Sequence, residues 1–238
     1  TPDEKERKNR YTLSGWTNEL RPDEPVPWPL GRHRYAPPFA ARSYTQIIGD
    51  EQFVVALFVW GYGRLKISDL RIGETSIDDY DEVEIEHREG VAGDDPVSLY
   101  PRQVIEDAES VELVRPLPRD DTGEVTSGAA IETPVVRTTA SVTQIASVIL
   151  WFPTGLYRLN REGDREKSLR VDVRIRQRLS DADEWEEVTT LRLVAKRSDP
   201  FFRQFAWQLP SRGRWQIEIT RMTQERTNRR YFDKVMLA

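Results

Sequence analysis

From Leu169 to Arg176 the chain alternates without exception: Leu169, Val171, Val173 and Ile175 are apolar, and Arg170, Asp172, Arg174 and Arg176 are charged. A period of two places all four apolar side chains on one face of a strand and all four charges on the other, a pattern no helix can use. The expectation is a half-buried strand with a basic outer face. Similar but shorter patterns surround it. Val135–Thr139 and Ser147–Phe152 read as strands, the latter stopped by Pro153-Thr154-Gly155. A turn over Ser180–Glu184 leads into a strand from Trp185 to Val194. Phe205, Trp207 and Leu209 alternate before an expected turn at Pro210–Gly213, Trp215, Ile217 and Ile219 alternate again, and Tyr231–Leu237 would close the sheet. About seven short strands at regular spacing with no helical stretch between them describe a β-sandwich, of immunoglobulin-like or jelly-roll type.

The first half is less regular. Between Tyr44 and Ile77 the apolar run Phe53–Trp60 reads as a strand buried on both faces. Gly61-Tyr62-Gly63 supplies a turn, and Leu65, Ile67, Leu70 and Ile72 resume as a half-buried return strand. The cluster Asp78-Asp79-Tyr80-Asp81-Glu82 lacks the spaced ligands, central glycine and closing glutamate of a calcium loop, and reads as a turn. It enters Val83-Glu84-Ile85-Glu86-His87, which alternates like a strand with one wet face. Val111–Val114 reads as another strand. Six prolines between Pro22 and Pro38 forbid helix and confine any pairing to sheet edges, so Arg21–Phe39 is expected to run extended, with Trp28, Leu30, Tyr35 and Phe39 pinned on a surface. Thr1–Arg10 has no apolar surface to offset its ordering entropy, and Tyr11–Trp16 has the makings of a short strand. The Pro-, Asp- and Gly-rich stretch Pro116–Pro134 is the candidate boundary. The organisation expected is an all-β chain of two β domains: a Pro-rich arm over 1–40 packing on a first β-rich domain over 41–128, then a β-sandwich over 129–238.

At 238 residues the chain can bury a core without cross-links, and it has no Cys. The absence of Cys removes thiol nucleophiles and disulfides, and with only His33 and His87 there is little for histidine-based metal or triad chemistry to use. No stretch approaches the roughly 20 apolar residues of a spanning helix. A net charge of −5 over 32% charged residues of mixed sign argues against a nucleic-acid footprint. Its cations are mostly arginine, which suits bidentate contacts between proteins and also follows from a GC-rich genome. The chain begins with Thr1 and reads as a fragment of something longer.

Three stretches carry a resemblance: LGRHRYAPPFAARSYTQIIGDEQF from Leu30 to Phe53, LFVWGYGRLKISDLRIGETSIDDYDEVEIEHREG from Leu57 to Gly90, and VILWFPTGLYRLN from Val148 to Asn160, joined by PSRGRWQIEITRMT from Pro210 to Thr223. Together they resemble the phage tail-tip family of host-specificity protein J in lambda-like siphophages. The resemblance implies a virion structural protein, an internal hub fragment made in the bacterial cytoplasm and placed at the tail tip of a phage, a prophage or a gene-transfer agent. It implies other tail-tip proteins as partners, a trimer for the full-length protein and indirect contact with a host receptor. The isolated fragment is expected to be monomeric.

None of the quoted motifs carries chemistry. Adjacent carboxylates such as Asp78-Asp79 and Asp94-Asp95 are expected by chance in so acidic a chain, so no catalytic residue, metal ligand or cofactor site is assigned and no enzyme is expected. The alternative reading is a carbohydrate-binding sandwich, since Trp151, Trp185, Trp207 and Trp215 fall in the second half and indole faces stack on sugars. Trp207 and Trp215 share the register of Leu209 and Ile217 and are expected to face inward. Trp185, at a hairpin end, is the candidate exposed ring, and Trp28 and Tyr62 are further candidates for sugar or partner contact.

Overall fold

The computed structural model describes residues 30–32, 34, 36–61, 65–107, 110–163, 166–226 and 228–238. The strand expected at Tyr11–Trp16, Trp28, Tyr62 and most of the Pro-rich arm lie outside the described residues. The chain forms two compact units, one of Thr1–Thr45 with Val54–Glu106 and the other of Gln46–Phe53 with Asp107–Ala238.

β1 (Phe39–Ile48) and β2 (Glu51–Phe58) form a two-stranded sheet whose tip, Gln46–Phe53, belongs to the second unit and whose remainder belongs to the first. The turn between them is Gly49-Asp50, with Gly49 at φ 65° and no positive φ at Asp50, the glycine-first pattern of a type II′ hairpin. The hairpin therefore differs from the one expected: the partner of the apolar run precedes it, while Tyr62 and Gly63 of the expected turn lie outside the described residues. Nor is the run buried on both faces. Among the described residues no further strand pairs with this two-stranded ribbon, and Val54 stays 71% exposed. The expected return strand Leu65–Ile72 shrinks to β3 (Arg71–Ile72), paired with β4 (Thr75–Ser76) around Gly73-Glu74, and a 3₁₀ turn over Ile77–Asp79 follows, with the Asp78 N–H donating to Ser76 Oγ. Val83–His87 forms no strand at all. Packing is local: Phe39 meets Phe58 at 4.6 Å between ring centroids, and Tyr44 meets Tyr100 edge-on at 5.4 Å. The Tyr100 hydroxyl donates to Arg42 O at 2.7 Å.

The second unit is a sandwich. It contains β5 (Val111–Glu112), β6 (Val135–Thr138), β7 (Thr143–Phe152), β8 (Tyr157–Leu159), β9 (Glu166–Lys167), β10 (Leu169–Leu179), β11 (Glu186–Ala195), β12 (Phe201–Gly213), β13 (Trp215–Arg221), β14 (Tyr231–Phe232) and β15 (Met236–Leu237). One antiparallel sheet runs β11-β10-β13-β6 and the other β12-β7-β15-β5, with a small β14-β8-β9 sheet beside them. The alternation read from the sequence decides which side chains face in. Val171, Val173 and Ile175 are fully buried, and across β13 they are joined by Trp215, Ile217 and Ile219, 2–5% exposed. Ala146, Val148, Leu150 and Phe152 of β7 supply the facing layer, closed by Leu113, Leu156, Phe201, Leu209 and Val235. Each such side chain contributes about 1.5–3 kcal/mol relative to exposure.

Two local expectations are corrected here. Pro210–Gly213 is not a turn. β12 runs through it and its pairing with β7 slips between Gln208 and Gly213, which an edge strand tolerates and which leaves the missing proline N–H outside the ladder. Tyr231–Leu237 is not one closing strand but two, β14 pairing with β8 and β15 lying between β7 and β5.

Candidate interaction surface

The outer face of the β11-β10-β13-β6 sheet is built from the charged half of the alternating run. Register sets Arg176 of β10 opposite Glu218 of β13, and Arg178 opposite Gln216. Arg176 Nε and Nη2 donate to the two Glu218 oxygens at 2.7 Å each, a bidentate fork. Thr220 Oγ1 adds a bond to Glu218 at 3.1 Å, and Arg174 pairs with Glu132 at 2.9 Å while lying 3.7 Å from Glu218. The long arginine side chains cover the strand between them, leaving Glu218 3% exposed. Burial pushes the Glu218 carboxyl up, but the hydrogen bonds of Arg176 and Thr220 and the charges of Arg176 and Arg174 outweigh it and hold its pKa below the ordinary glutamate value.

Trp185 closes one end of this row. It is half-buried, with the Arg178 guanidinium 4.5 Å from the ring centroid and that of Arg176 at 5.7 Å. Arg178 is itself fixed by Gln216 Oε1 at 2.8 Å and Asp183 O at 3.1 Å. Trp215 faces inward as expected, and Trp207 is partly buried against the core with its Nε1 donating to Gln177 Oε1 at 2.9 Å.

A second charged centre sits at the edge of the other sheet. Asp50, at the β1–β2 turn, accepts from both Arg197 and Arg203, and both guanidiniums lie over the Phe201 ring at 5.0 and 4.8 Å. Asp50 O accepts from Phe202 N–H at 3.2 Å and Gln204 Oε1 accepts from Ile47 N–H at 3.1 Å, so the hairpin tip occupies part of the β12 edge. The Arg203 hydrogen bond, against a burial effect and helped by the Arg203 charge and by Arg197, lowers the Asp50 pKa. Sequence reading missed both Glu218 and Asp50. A glycine-aspartate pair between apolar runs is a hairpin signal and was available for Asp50; nothing short of the strand register marks Glu218.

A polar cavity of about 220 Å³ is lined by Glu112, Arg221, Glu225, Arg226, Tyr231 and Lys234 among others. Four of its charged side chains pair with one another: Arg221, 1% exposed, pairs with Asp233 at 2.7 Å, and Lys234 pairs with Glu112 at 3.0 Å. Tyr231 hydroxyl bonds from Arg158 and then Arg226 lower its pKa. Among the described residues no group of three or more His, Cys, Asp or Glu is placed to hold a metal ion, and no helix is long and apolar enough to cross a membrane. His87 is exposed.

Two four-stranded antiparallel sheets closed on one core make the second unit an immunoglobulin-like, fibronectin type III sandwich. Residues 124–238 match the family described as tip attachment protein J, FNIII-A domain, which makes this part of the chain a domain of the phage tail-tip protein J family. That family is one of tail-tip structural domains, generally without enzymatic activity. No curated protein matches the chain.

Proposed function

We propose that this chain is a hub region of a tail-tip protein J, acting in tail assembly and, through its neighbours, in host attachment. The observation that carries the reading is the family match over 124–238, on a sandwich whose outer face is already filled by paired charges and needs no ligand to be complete. Its partners are other tail-tip proteins, with trimeric association in the full-length protein and the host receptor reached indirectly. The proposed organisation keeps a Pro-rich arm over 1–40, a hub domain over 41–128 and the sandwich over 129–238. Trp185, Trp28 and Tyr62 are the side chains proposed for partner contact. Immunogold microscopy on particles released by induction of the source organism, with antibodies to this chain, tests it. Label confined to distal tail tips is expected, and intact tails left unlabelled, with all antigen soluble, would refute it.

A second reading, sugar binding, is favoured only by the partly exposed indole of Trp185. If a glycan affinity is measured and Trp185→Ala leaves it unchanged, that residue has no part in it.

A further inference from the structure

We propose that Val83–His87 is a strand supplied to a sheet of another protein, and that its partner is an edge strand alternating basic and apolar residues. The sequence alternates Val83, Ile85 with Glu82, Glu84, Glu86, yet among the described residues the segment pairs with no strand. From Val83 to Gly90 the chain runs with neither turn nor bend, and among the described residues no backbone group from Glu82 to Glu86 bonds to another backbone group. Val83 is 40% and Ile85 54% exposed. The His87 carbonyl accepts from Arg88 Nη1 at 2.9 Å, but from Val83 to Glu86 the segment has strand chemistry, backbone groups outside any ladder and uncovered apolar side chains, and lacks only its neighbour.

The segment is held ready at both ends. Upstream, Tyr80 N–H bonds to Ile77 O at 3.2 Å, closing the 3₁₀ turn. Downstream, the Glu86 carboxylate accepts from Ser98 N–H at 2.6 Å, Ser98 Oγ at 3.0 Å and Leu99 N–H at 2.9 Å, and also binds Arg88. The Leu99 amide leads these contacts in holding the Glu86 pKa low. Ordering the segment on binding therefore costs less than ordering a free peptide.

Charge decides the partner. Asp78–Asp95 holds nine Asp and Glu against Arg88 alone. Antiparallel pairing with a second copy of this segment would set glutamate opposite glutamate or opposite valine and isoleucine in every register, and like charges directly opposite are destabilising. A strand with Lys or Arg opposite Glu82 and Glu84, and apolar residues opposite Val83 and Ile85, satisfies both faces. These residues lie outside 124–238, so the inference stands apart from the tail-tip reading.

The test uses the whole 238-residue chain and, as probe, a seven-residue peptide alternating valine and lysine, with hydrogen exchange read at the amides of residues 83–87. A strand turns every second N–H toward one neighbour, so protection by about tenfold or more is expected at the alternating set Val83, Ile85 and His87. The protection should vanish with Ile85→Pro, which removes an exposed amide, and fall with Glu84→Lys. An alternately N-methylated probe keeps every charge but cannot form the ladder. If it protects equally, or if the unmodified probe protects other amides and not these, strand pairing is overturned.

Discussion

Replacing Glu218 by leucine removes the carboxylate that two arginines share and keeps the side chain's bulk. In the native sheet Glu218 is 3% exposed and takes a bidentate fork from Arg176, whose own side chain is 30% exposed. Breaking a buried pair leaves an uncompensated charge worth about 3–5 kcal/mol. Arg176 keeps partial access to water and Arg174 keeps Glu132, so the expected loss is smaller, about 2–3 kcal/mol. The assay is urea unfolding of the full chain followed by tryptophan fluorescence, with four of the seven tryptophans in the sandwich. A double variant, Arg176→Met with Glu218→Leu, removes both charges and should recover at least half of the loss, because an apolar pair of similar volume replaces the ions. The pH dependence follows from the lowered pKa of Glu218. A carboxyl whose folded pKa lies below its unfolded value stabilises above the unfolded value, and this contribution is lost as pH falls through the folded one. The gap between wild type and Glu218→Leu should therefore be full at neutral pH and close on acidification below the ordinary glutamate range. A single-variant loss under about 0.5 kcal/mol, or a double variant as unstable as the two single losses summed, would refute the account.

At Gly155 a Cβ would lie 2.2 Å from Arg197 O, and φ is 72°, so Gly155→Ala should cost at least about 3 kcal/mol in thermal unfolding, against about 1 kcal/mol for Gly163→Ala, where the positive φ strains an alanine but the Cβ meets nothing. Asp50→Asn should leave the midpoint of sandwich unfolding nearly unchanged while speeding exchange of the Phe202 amide about tenfold; acidification of the wild type below the ordinary aspartate range should do the same, since the Asp50 pKa is lowered in the folded state. Trp185→Ala removes the ring under Arg178 and should cost about 0.5–1 kcal/mol, a loss that high salt reduces little because Arg178 keeps Gln216 and Asp183.

The sandwich was legible where burial on one face alone determines each residue. Leu169–Ile175 alternates in sequence because it alternates in exposure, and Trp215–Ile219 does likewise on its inner face. Legibility failed where a polar side chain is covered by neighbours from another strand. Glu218 sits at a position that reads as wet, and only register brings Arg174 and Arg176 over it. The first unit defeated pattern reading for the opposite reason. Phe53–Phe58 has the composition of a buried strand but lies in a two-stranded ribbon, where Val54 and Phe58 are exposed and none of the six side chains is fully buried. Likewise Val83 and Ile85 alternate as strand residues should, with no strand paired to them among the described residues. Composition reports what a segment can pair with, not whether the pairing partner lies in the same chain.

The hairpin tip at Asp50 has a consequence in time. Its anchors, Arg197 and Arg203, follow 147 and 153 residues later. At synthesis rates of about 5–20 residues per second, the tip leaves the ribosome roughly 7–30 s before the residues that hold it exist. During that interval the loop to be closed is most of the protein, and its closure awaits the strand that Phe201 begins.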